Sequence, residues 1–219
     1  TYIRCHDDIG WAVTDEDAAA LGLSGPGHRA FLSDFYDGSF PGSFARGALF
    51  QENPATGDKR ISGSFASLAG LEKALAEGDD PAADLAVQRI LMGHAMIAAW
   101  GGIPLIYMGD ELAALNDHDY LSVPEHAHDS RWIHRPRMDW QAAAARHEGA
   151  TYASRVWLGV RNILARRRVT SALHAAHPIR VVACDMPQVF AFRRDAPTGT
   201  LLCLFNFSES WAHVPEDWV

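Results

Sequence analysis

The chain has 219 residues, of which 48% are hydrophobic and 21% are charged, and its formal net charge is -8. This composition is typical of a globular protein and argues against a disordered, fibrous or membrane-embedded chain. Because the only dense basic run is Arg166–Arg168, the charge also argues against binding to a nucleic acid backbone. No signal peptide and no apolar stretch of the roughly 20 residues that a bilayer span requires can be recognised, so we expect no membrane partner.

The cysteine content predicts a reducing environment. Cys5, Cys184 and Cys203 are three in number and far apart, which favours buried, reduced thiols over disulfide bridges. We therefore expect a cytoplasmic protein. The chain begins within a β-like stretch and stops soon after another one, so we also expect it to be a fragment.

The first third of the chain predicts one strand and a long irregular excursion. Tyr2–Cys5 alternates β-forming residues and predicts a strand that ends at His6. The following stretch continues to Asp80, with a short helix predicted over 28–36 and further helical spacing over 65–76. A long excursion inside a compact domain is usually functional.

The middle of the chain predicts a helix, a strand and a second helix. Pro81 is suited to the first turn of a helix that Gly101-Gly102 ends. The continuous apolar run IPLIYMG, residues 103–109, is typical of a buried strand in a parallel sheet. A helix is predicted over 152–168. Alternating strands and helices predict an α/β fold with its chemistry at the carboxyl ends of the strands.

The last part of the chain predicts antiparallel β-structure. Three apolar or alternating runs, at 179–184, 189–194 and 201–207, follow Pro178, and a turn at 195–199 separates the last two. We expect a small all-β domain to begin near residue 177.

Both predicted strands of the α/β part end in acidic residues. His6, Asp7 and Asp8 follow the first strand, and Asp110 and Glu111 follow the second. Since the carboxyl ends of parallel strands meet at one rim, these side chains predict a site there. The alternative is that they only cap or anchor the neighbouring loops. Arg60 and Arg131 lie in the long loops after the two strands and are either counter-ions at this rim or surface ion pairs.

A metal-dependent phosphohydrolase of the His-Asp type is a second possible class. Such sites combine a His-Asp pair with further His and Asp ligands, but on helices, whereas His6-Asp7 follows a strand. The other candidate ligands lie in a loop without a fixed spacing: His118, Asp119, His126, His128 and Asp129.

Four ordered blocks of sequence resemble one known group of enzymes. The blocks TYIRCHDDIGW, FPGSFARGALFQENPATGDKRISGS, GGIPLIYMGDELAALND and HDSRWIHRPR are similar to the C-terminal part of the amylosucrases and sucrose hydrolases. These enzymes belong to the α-amylase superfamily, glycoside hydrolase family 13. The resemblance implies that residues 1–175 form the last two strands and helices of a (β/α)8 TIM barrel, with a pocket-covering insertion at 12–80. Residues 176–219 would then begin a C-terminal antiparallel β-sandwich domain.

The resemblance also implies roles for individual side chains on sucrose. The third catalytic carboxylate would be Asp7, which stabilises the transition state, and His6 would bind the same glucosyl unit. Asp8 and Arg60 would contact the fructosyl unit, and Arg131 would close the bottom of the glucosyl pocket. Gln51 and Asn53 match positions of the insertion that forms the pocket.

The remaining implications concern what lies outside the chain. The family's nucleophile and acid/base, and the acidic partner of Arg131, would lie upstream of Thr1, in the N-terminal part of the same enzyme. The implied partners are sucrose and an α-1,4-glucan, with no metal or cofactor. Glucosyl transfer and sucrose hydrolysis both stay open as activities, and so does a non-catalytic carbohydrate-binding module.

Overall fold

The structure is a computed structural model that describes residues 1–149 and 151–214. It consists of two compact units, and the larger one comprises Arg4–Ile90 and Ile106–Leu158. The smaller unit comprises Thr1–Ile3, Leu91–Leu105 and the chain from Gly159 onward. The predicted domain boundary at residues 175–176 stays a prediction, and the last five residues of the predicted β-domain, 215–219, lie outside the described residues.

Helices make up most of the regular structure before residue 170. They are α1 (Asp15–Ala20), α2 (Gly25–Asp37), α3 (Phe65–Leu68), α4 (Leu71–Glu77), α5 (Asp80–Ala99), α6 (Trp140–Ala145) and α7 (Tyr152–Val169). The predicted helices over 28–36, from Asp80 and over 152–168 are confirmed. The predicted helix over 65–76 is interrupted at Gly70, which has a φ of 104° and separates α3 from α4.

Side chains that accept hydrogen bonds from the backbone fix where the early helices begin. The Thr14 hydroxyl accepts from the Asp17 N–H at the start of α1, and the Ser24 hydroxyl accepts from the Gly27 N–H at the start of α2. Helix α2 ends where Gly38 adopts a φ of 91°.

A β-hairpin that the sequence analysis missed lies within the predicted insertion. Strands β1 (Ala48–Glu52) and β2 (Lys59–Ser62) pair antiparallel. Ile9 extends this pairing, because its N–H and carbonyl exchange hydrogen bonds of 2.8 and 3.0 Å with Ile61. Ile61 is fully buried, so the segment after His6 is anchored to the hairpin.

The strands predicted at Tyr2–Cys5 and 103–109 do not form, and this part of the expected barrel is not seen. The two segments exchange only two backbone bonds, from the Thr1 amine to the Ile103 carbonyl and from the Leu105 N–H to the Thr1 carbonyl, both 2.9 Å. These bonds have the pattern of a parallel pair. Among the described residues the pairing stops there, so neither segment becomes a β-strand. The barrel stays a prediction.

The smaller unit contains the predicted antiparallel sheet. Strands β3 (Ile179–Val182), β4 (Val189–Ala196) and β5 (Gly199–Asn206) are ordered β3-β4-β5, and all pairs are antiparallel. Its core contains Phe192, Cys203 and Phe205, and the Trp100 ring meets the Phe192 ring edge-on at 5.1 Å. The sequence prediction of a hairpin sheet in this region is confirmed.

A fully buried arginine links this sheet to the end of α5. Arg194 donates to the carbonyl oxygens of Ala99 and Trp100 at the helix end, and to those of His174 and His177. Carbonyl groups at a helix C-terminus lack partners within the helix and carry partial negative charge, so a guanidinium there satisfies and neutralises them. None of the helices in the described part of the chain is long and apolar enough to cross a membrane.

Candidate active site

The pairing of Ile9 with Ile61 brings Asp8 and Arg60 together. These two residues are diagonal neighbours on the same face of the antiparallel pairing, where long side chains can meet. Arg60 Nη1 lies 3.1 Å from Asp8 Oδ2. The Asp8 side chain is 6% exposed while that of Arg60 is 56% exposed, so the carboxylate is sheltered under an accessible guanidinium.

A short 3-10 helix, Ser130–His134, carries the second predicted arginine to the same hairpin. The Ser130 hydroxyl donates to the Leu49 carbonyl at 2.9 Å and ties the helix to β1. The Arg131 guanidinium then lies 4.6 Å from the centre of the Phe50 ring. Neither contact is predictable from sequence, because the partners are about eighty residues apart.

Arg131 joins two carboxylates. Its Nε and Nη2 atoms donate to the two oxygens of Asp129, and its Nη1 atom donates to Asp7 Oδ1, each at 2.9 Å. The first contact is the planar two-point pairing that a guanidinium makes with a carboxylate. The resemblance implied an acidic partner before Thr1, whereas the structure provides two partners within this chain.

This network favours the ionised form of Asp7. The hydrogen bond from Arg131 lowers the pKa of Asp7 to about 2, with a smaller effect from the Asp8 N–H, which donates to Asp7 Oδ1 at 3.1 Å. Arg131 also lowers the pKa of Asp129, and both carboxylates raise the pKa of Arg131. Since the Asp7 side chain is half exposed, the network presents an ionised carboxylate to solvent.

His6 is held through its backbone. Its carbonyl oxygen accepts hydrogen bonds from His134 Nε2 at 3.2 Å and from Arg135 Nε and Nη2 at 3.0 and 2.6 Å, while the residue itself is exposed. His134 is buried, and its Nδ1 accepts from the Gly63 N–H at 3.1 Å. The acceptor at Nδ1 assigns the proton to Nε2. The block HDSRWIHRPR contains both residues, but its sequence alone indicates no role for His134 or Arg135.

Arg60 also lines a cavity of about 920 Å³ together with Gln51 and Asn53. Gln51 is the extra residue of a β-bulge in β1, with a φ of 51° in the left-handed region. Bulges redirect side chains, and backbone strain of this kind is concentrated at functional sites. Asn53 begins the hairpin turn, since its carboxamide oxygen accepts from the Ala55 N–H at 3.0 Å. The three residues that the resemblance assigned to the insertion and the fructosyl side therefore meet at one cavity.

A further residue of this cavity, Arg29, was missed by sequence reasoning. From helix α2 it donates to Asp58 at 2.7 Å and to Asp15 at 2.8 Å, and it also donates to the Val13 carbonyl. These contacts tie α1 and α2 to the end of the hairpin loop. The sequence around Arg29 does not indicate this role, because the partners of Arg29 are 14 to 29 residues away.

The second acidic block has a structural role. Arg4 donates to Asp110 Oδ1 from Nε at 3.0 Å and from Nη2 at 2.7 Å, and both side chains are buried. Glu111 accepts from the Gly109 N–H at 2.8 Å. These contacts are those of loop anchors, which was the alternative interpretation of this block.

Two other histidines of the loop, His118 and His126, contact protein side chains. His118 Nε2 lies 2.7 Å from Glu72 Oε1, and the His126 ring stacks on the Trp132 ring. Among the described residues, no group of three or more His, Cys, Asp or Glu side chains is arranged to hold a metal ion. This geometry gives no support to the phosphohydrolase alternative.

Comparison with known proteins identifies a fold. No protein-family model matches the chain. Its fold is similar to part of a crystal structure of sucrose 6F-phosphate phosphorylase from Thermoanaerobacter thermosaccharolyticum, with a TM-score of 0.61 and 16% identity. The match covers 94% of this chain and 36% of that one, so the chain spans about a third of the length of that enzyme.

A second solved structure is a variant of trehalulose synthase in complex with Tris. It is 22% identical over 54% of this chain and 29% of its own, and its TM-score of 0.41 is too low to support an argument. At 16% identity the first comparison establishes a shared fold and leaves the activity to be argued from the site.

Proposed function

We propose that this chain is part of a retaining α-glucosyl enzyme of the amylosucrase type. Such an enzyme cleaves sucrose, releases fructose and transfers the glucosyl unit to an α-1,4-glucan. One observation carries the proposal: the Asp7–Arg131–Asp129 network and the Asp8–Arg60 pair lie on one hairpin framework, and Arg60 lines the adjoining cavity. Of these residues, Asp7, Arg131, Asp8 and Arg60 are the ones that the resemblance assigns to the two halves of sucrose.

In this proposal Asp7 stabilises the transition state at the glucosyl unit. Arg131 holds the ionised carboxylate in place, and the carboxylate accepts hydrogen bonds from ring hydroxyl groups of the sugar. As the glycosidic bond breaks, the ring becomes an oxocarbenium-like cation, and those hydrogen bonds strengthen. Interactions that are stronger in the transition state than in the ground state raise the rate.

The fructosyl unit would bind on the cavity side. Arg60 is accessible as a donor for its hydroxyl groups and is held from beneath by the sheltered Asp8 carboxylate, and Gln51 and Asn53 supply carboxamides at the same cavity. Neutral, multiply hydroxylated ligands suit such a mixture of donors and acceptors.

The nucleophile and the acid/base would come from the preceding part of the same enzyme. A retaining mechanism needs two carboxyl groups about 5 Å apart, and the resemblance assigns neither role to this chain. The exposed apolar side chains of Tyr2, Ile103 and Leu105 support such a partner, since residues of this type are usually covered. We therefore expect the 219 residues alone to be inactive on sucrose.

The test is a product analysis with the full-length enzyme. Sucrose is incubated with and without inorganic phosphate, and fructose, glucose, glucose 1-phosphate and glucan are quantified together. We expect more fructose than glucose, with glucan as the balance, in both incubations. Equal fructose and glucose would indicate a sucrose hydrolase, and phosphate-dependent glucose 1-phosphate would indicate a phosphorylase. Absence of sucrose cleavage would refute the proposal.

A further inference from the structure

We infer that His134 and Arg135 are positioning residues for the segment that carries Asp7, because both converge on one backbone oxygen, the His6 carbonyl. The catalytic meaning of this inference rests on the proposed function, in which Asp7 acts on the substrate. The geometric part, that these two side chains set the orientation of Asp7, stands separately.

Two side chains from different positions, His134 and Arg135, hold the His6 carbonyl. His134 approaches the His6 carbonyl at 3.2 Å, while its other ring nitrogen accepts from the Gly63 N–H at the end of β2. The imidazole is 1% exposed and therefore has little freedom to rotate. Arg135 places two N–H groups on the same oxygen, at 3.0 and 2.6 Å.

The oxygen that they share belongs to the peptide group joining His6 to Asp7. Fixing this peptide fixes the direction in which the Asp7 side chain leaves the backbone. The Arg131 side chain that receives Asp7 lies on the same 3-10 helix as His134, and Arg135 follows directly. One short segment therefore holds both the carboxylate of Asp7 and the peptide that orients it.

Satisfying the His6 carbonyl does not by itself require this arrangement. His6 is exposed, and water can hydrogen-bond an exposed carbonyl group. What three protein donors add is a fixed orientation. Orientation matters for a catalytic group, since a displacement of about 1 Å can reduce a rate by roughly a hundredfold.

The experiment compares R135K and H134Q with R137K in the full-length enzyme. R135K keeps the positive charge but loses the two-point donation, and H134Q replaces the rigid ring with a flexible carboxamide that no longer fixes the orientation of the two backbone groups. Arg137 is an exposed arginine two residues further along, so R137K is the matched control. The readouts are kcat and KM for sucrose, and the pKa of Asp7 from NMR titration of its carboxyl carbon.

We expect R135K and H134Q to lower kcat roughly tenfold or more, with KM within about threefold of wild type. The pKa of Asp7 should rise from about 2 toward the ordinary value of about 3.9, because a displaced Asp7 side chain loses its hydrogen bond from Arg131. R137K should change neither quantity. Circular dichroism and the unfolding midpoint confirm that each variant is folded, and a merely structural role would leave the Asp7 titration unmoved.

An Asp7 pKa that is unchanged in both folded variants would overturn the inference, whatever the activity. A wild-type enzyme that does not cleave sucrose would instead refute the proposed function. In that case the Asp7 titration still decides whether His134 and Arg135 position the segment.

Discussion

Arg194 in the smaller unit and Arg131 in the larger unit each make several hydrogen bonds, and their surroundings are opposite. Arg194 is fully buried among backbone carbonyls, and burial lowers its pKa. Arg131 remains partly open, and the carboxylates of Asp129 and Asp7 raise its pKa. The first arrangement neutralises a helix end, whereas the second keeps charged groups within reach of a ligand.

This difference shows how the same side chain is used for folding and for function. A guanidinium that donates only to carbonyls stabilises the fold and gives a ligand no access. A guanidinium that pairs with an ionised carboxylate at an open surface stabilises the fold less, because solvent screens the pair. It leaves Asp7 able to accept hydrogen bonds from a substrate. Substitutions in the two regions should therefore separate stability from activity.

The largest effect is expected for Asp7→Asn. We expect kcat for sucrose cleavage to fall by about a thousandfold or more, while KM changes less than about tenfold, because the proposed hydrogen bonds strengthen chiefly in the transition state. Steady-state kinetics measure both quantities. Asp119→Asn, at an exposed acid of the loop that precedes Arg131, is the control and should be neutral. Equal losses in kcat/KM and in substrate affinity would contradict the transition-state role.

Arg194→Ala should affect stability. Four carbonyl groups lose their donor, and we expect the free energy of unfolding to fall by about 4 kcal/mol, as measured by urea denaturation. The neighbouring Arg193 lies on the same strand and is about half exposed, and its ion pair within the described residues is a long contact of 3.5 Å with Asp195. Arg193→Ala should therefore cost less than about 0.5 kcal/mol. Similar decreases in the free energy of unfolding for the two variants would contradict a special structural role of Arg194.

A smaller effect is expected from pH, through His134. Burial lowers the pKa of His134 to about 4, so between pH 6.5 and 4 the unfolded chain binds a proton that the folded chain does not. The free energy of unfolding should therefore decrease as the pH falls through this window, by about 3 kcal/mol in total, and the contribution is constant above it. Denaturation across the pH range measures this slope. His134→Gln should remove it and His128→Gln, at an exposed histidine, should preserve it.

The smallest effect is expected at Gln51. Glycine adopts a φ of 51° without the strain that a side chain creates there, so Gln51→Gly should raise the free energy of unfolding by about 1 kcal/mol. Gln51→Ala retains the strain and should give no such gain. Thermal unfolding of the two variants makes the comparison, and equal midpoints would contradict strain at this position.

The elements that could be predicted from the sequence are those with local signals. Helices α2, α5 and α7 have capping residues and good helix formers, and β4 and β5 have alternating residues around a short turn. The hairpin β1–β2 was missed because its strands are short and lie in a segment rich in Gly and Pro. The strands expected at Tyr2–Cys5 and 103–109 depend on ladder partners, which composition cannot reveal.

In the candidate site, too, local sequence features could be recognised and long-range contacts could not. The HDD block was visible as polar residues after an apolar run, and its match to known motifs suggested roles for Asp7, Asp8 and Arg131. Their partners could not be read from the sequence, because the Asp7–Arg131 contact spans 124 residues. The sequence indicates Asp129 only as a possible metal ligand and indicates no role for Arg135, since tertiary contacts alone define what these residues do.

The most direct test of the central claim is a crystal structure of the full-length Asp7→Asn variant with sucrose, since slow turnover should leave the disaccharide intact. Our prediction is that the glucosyl ring lies within about 3 Å of the side chain at position 7 and of Arg131, with the fructosyl unit against Asp8 and Arg60. Sucrose bound away from these four side chains, or bound with its fructosyl unit at Arg131, would contradict it.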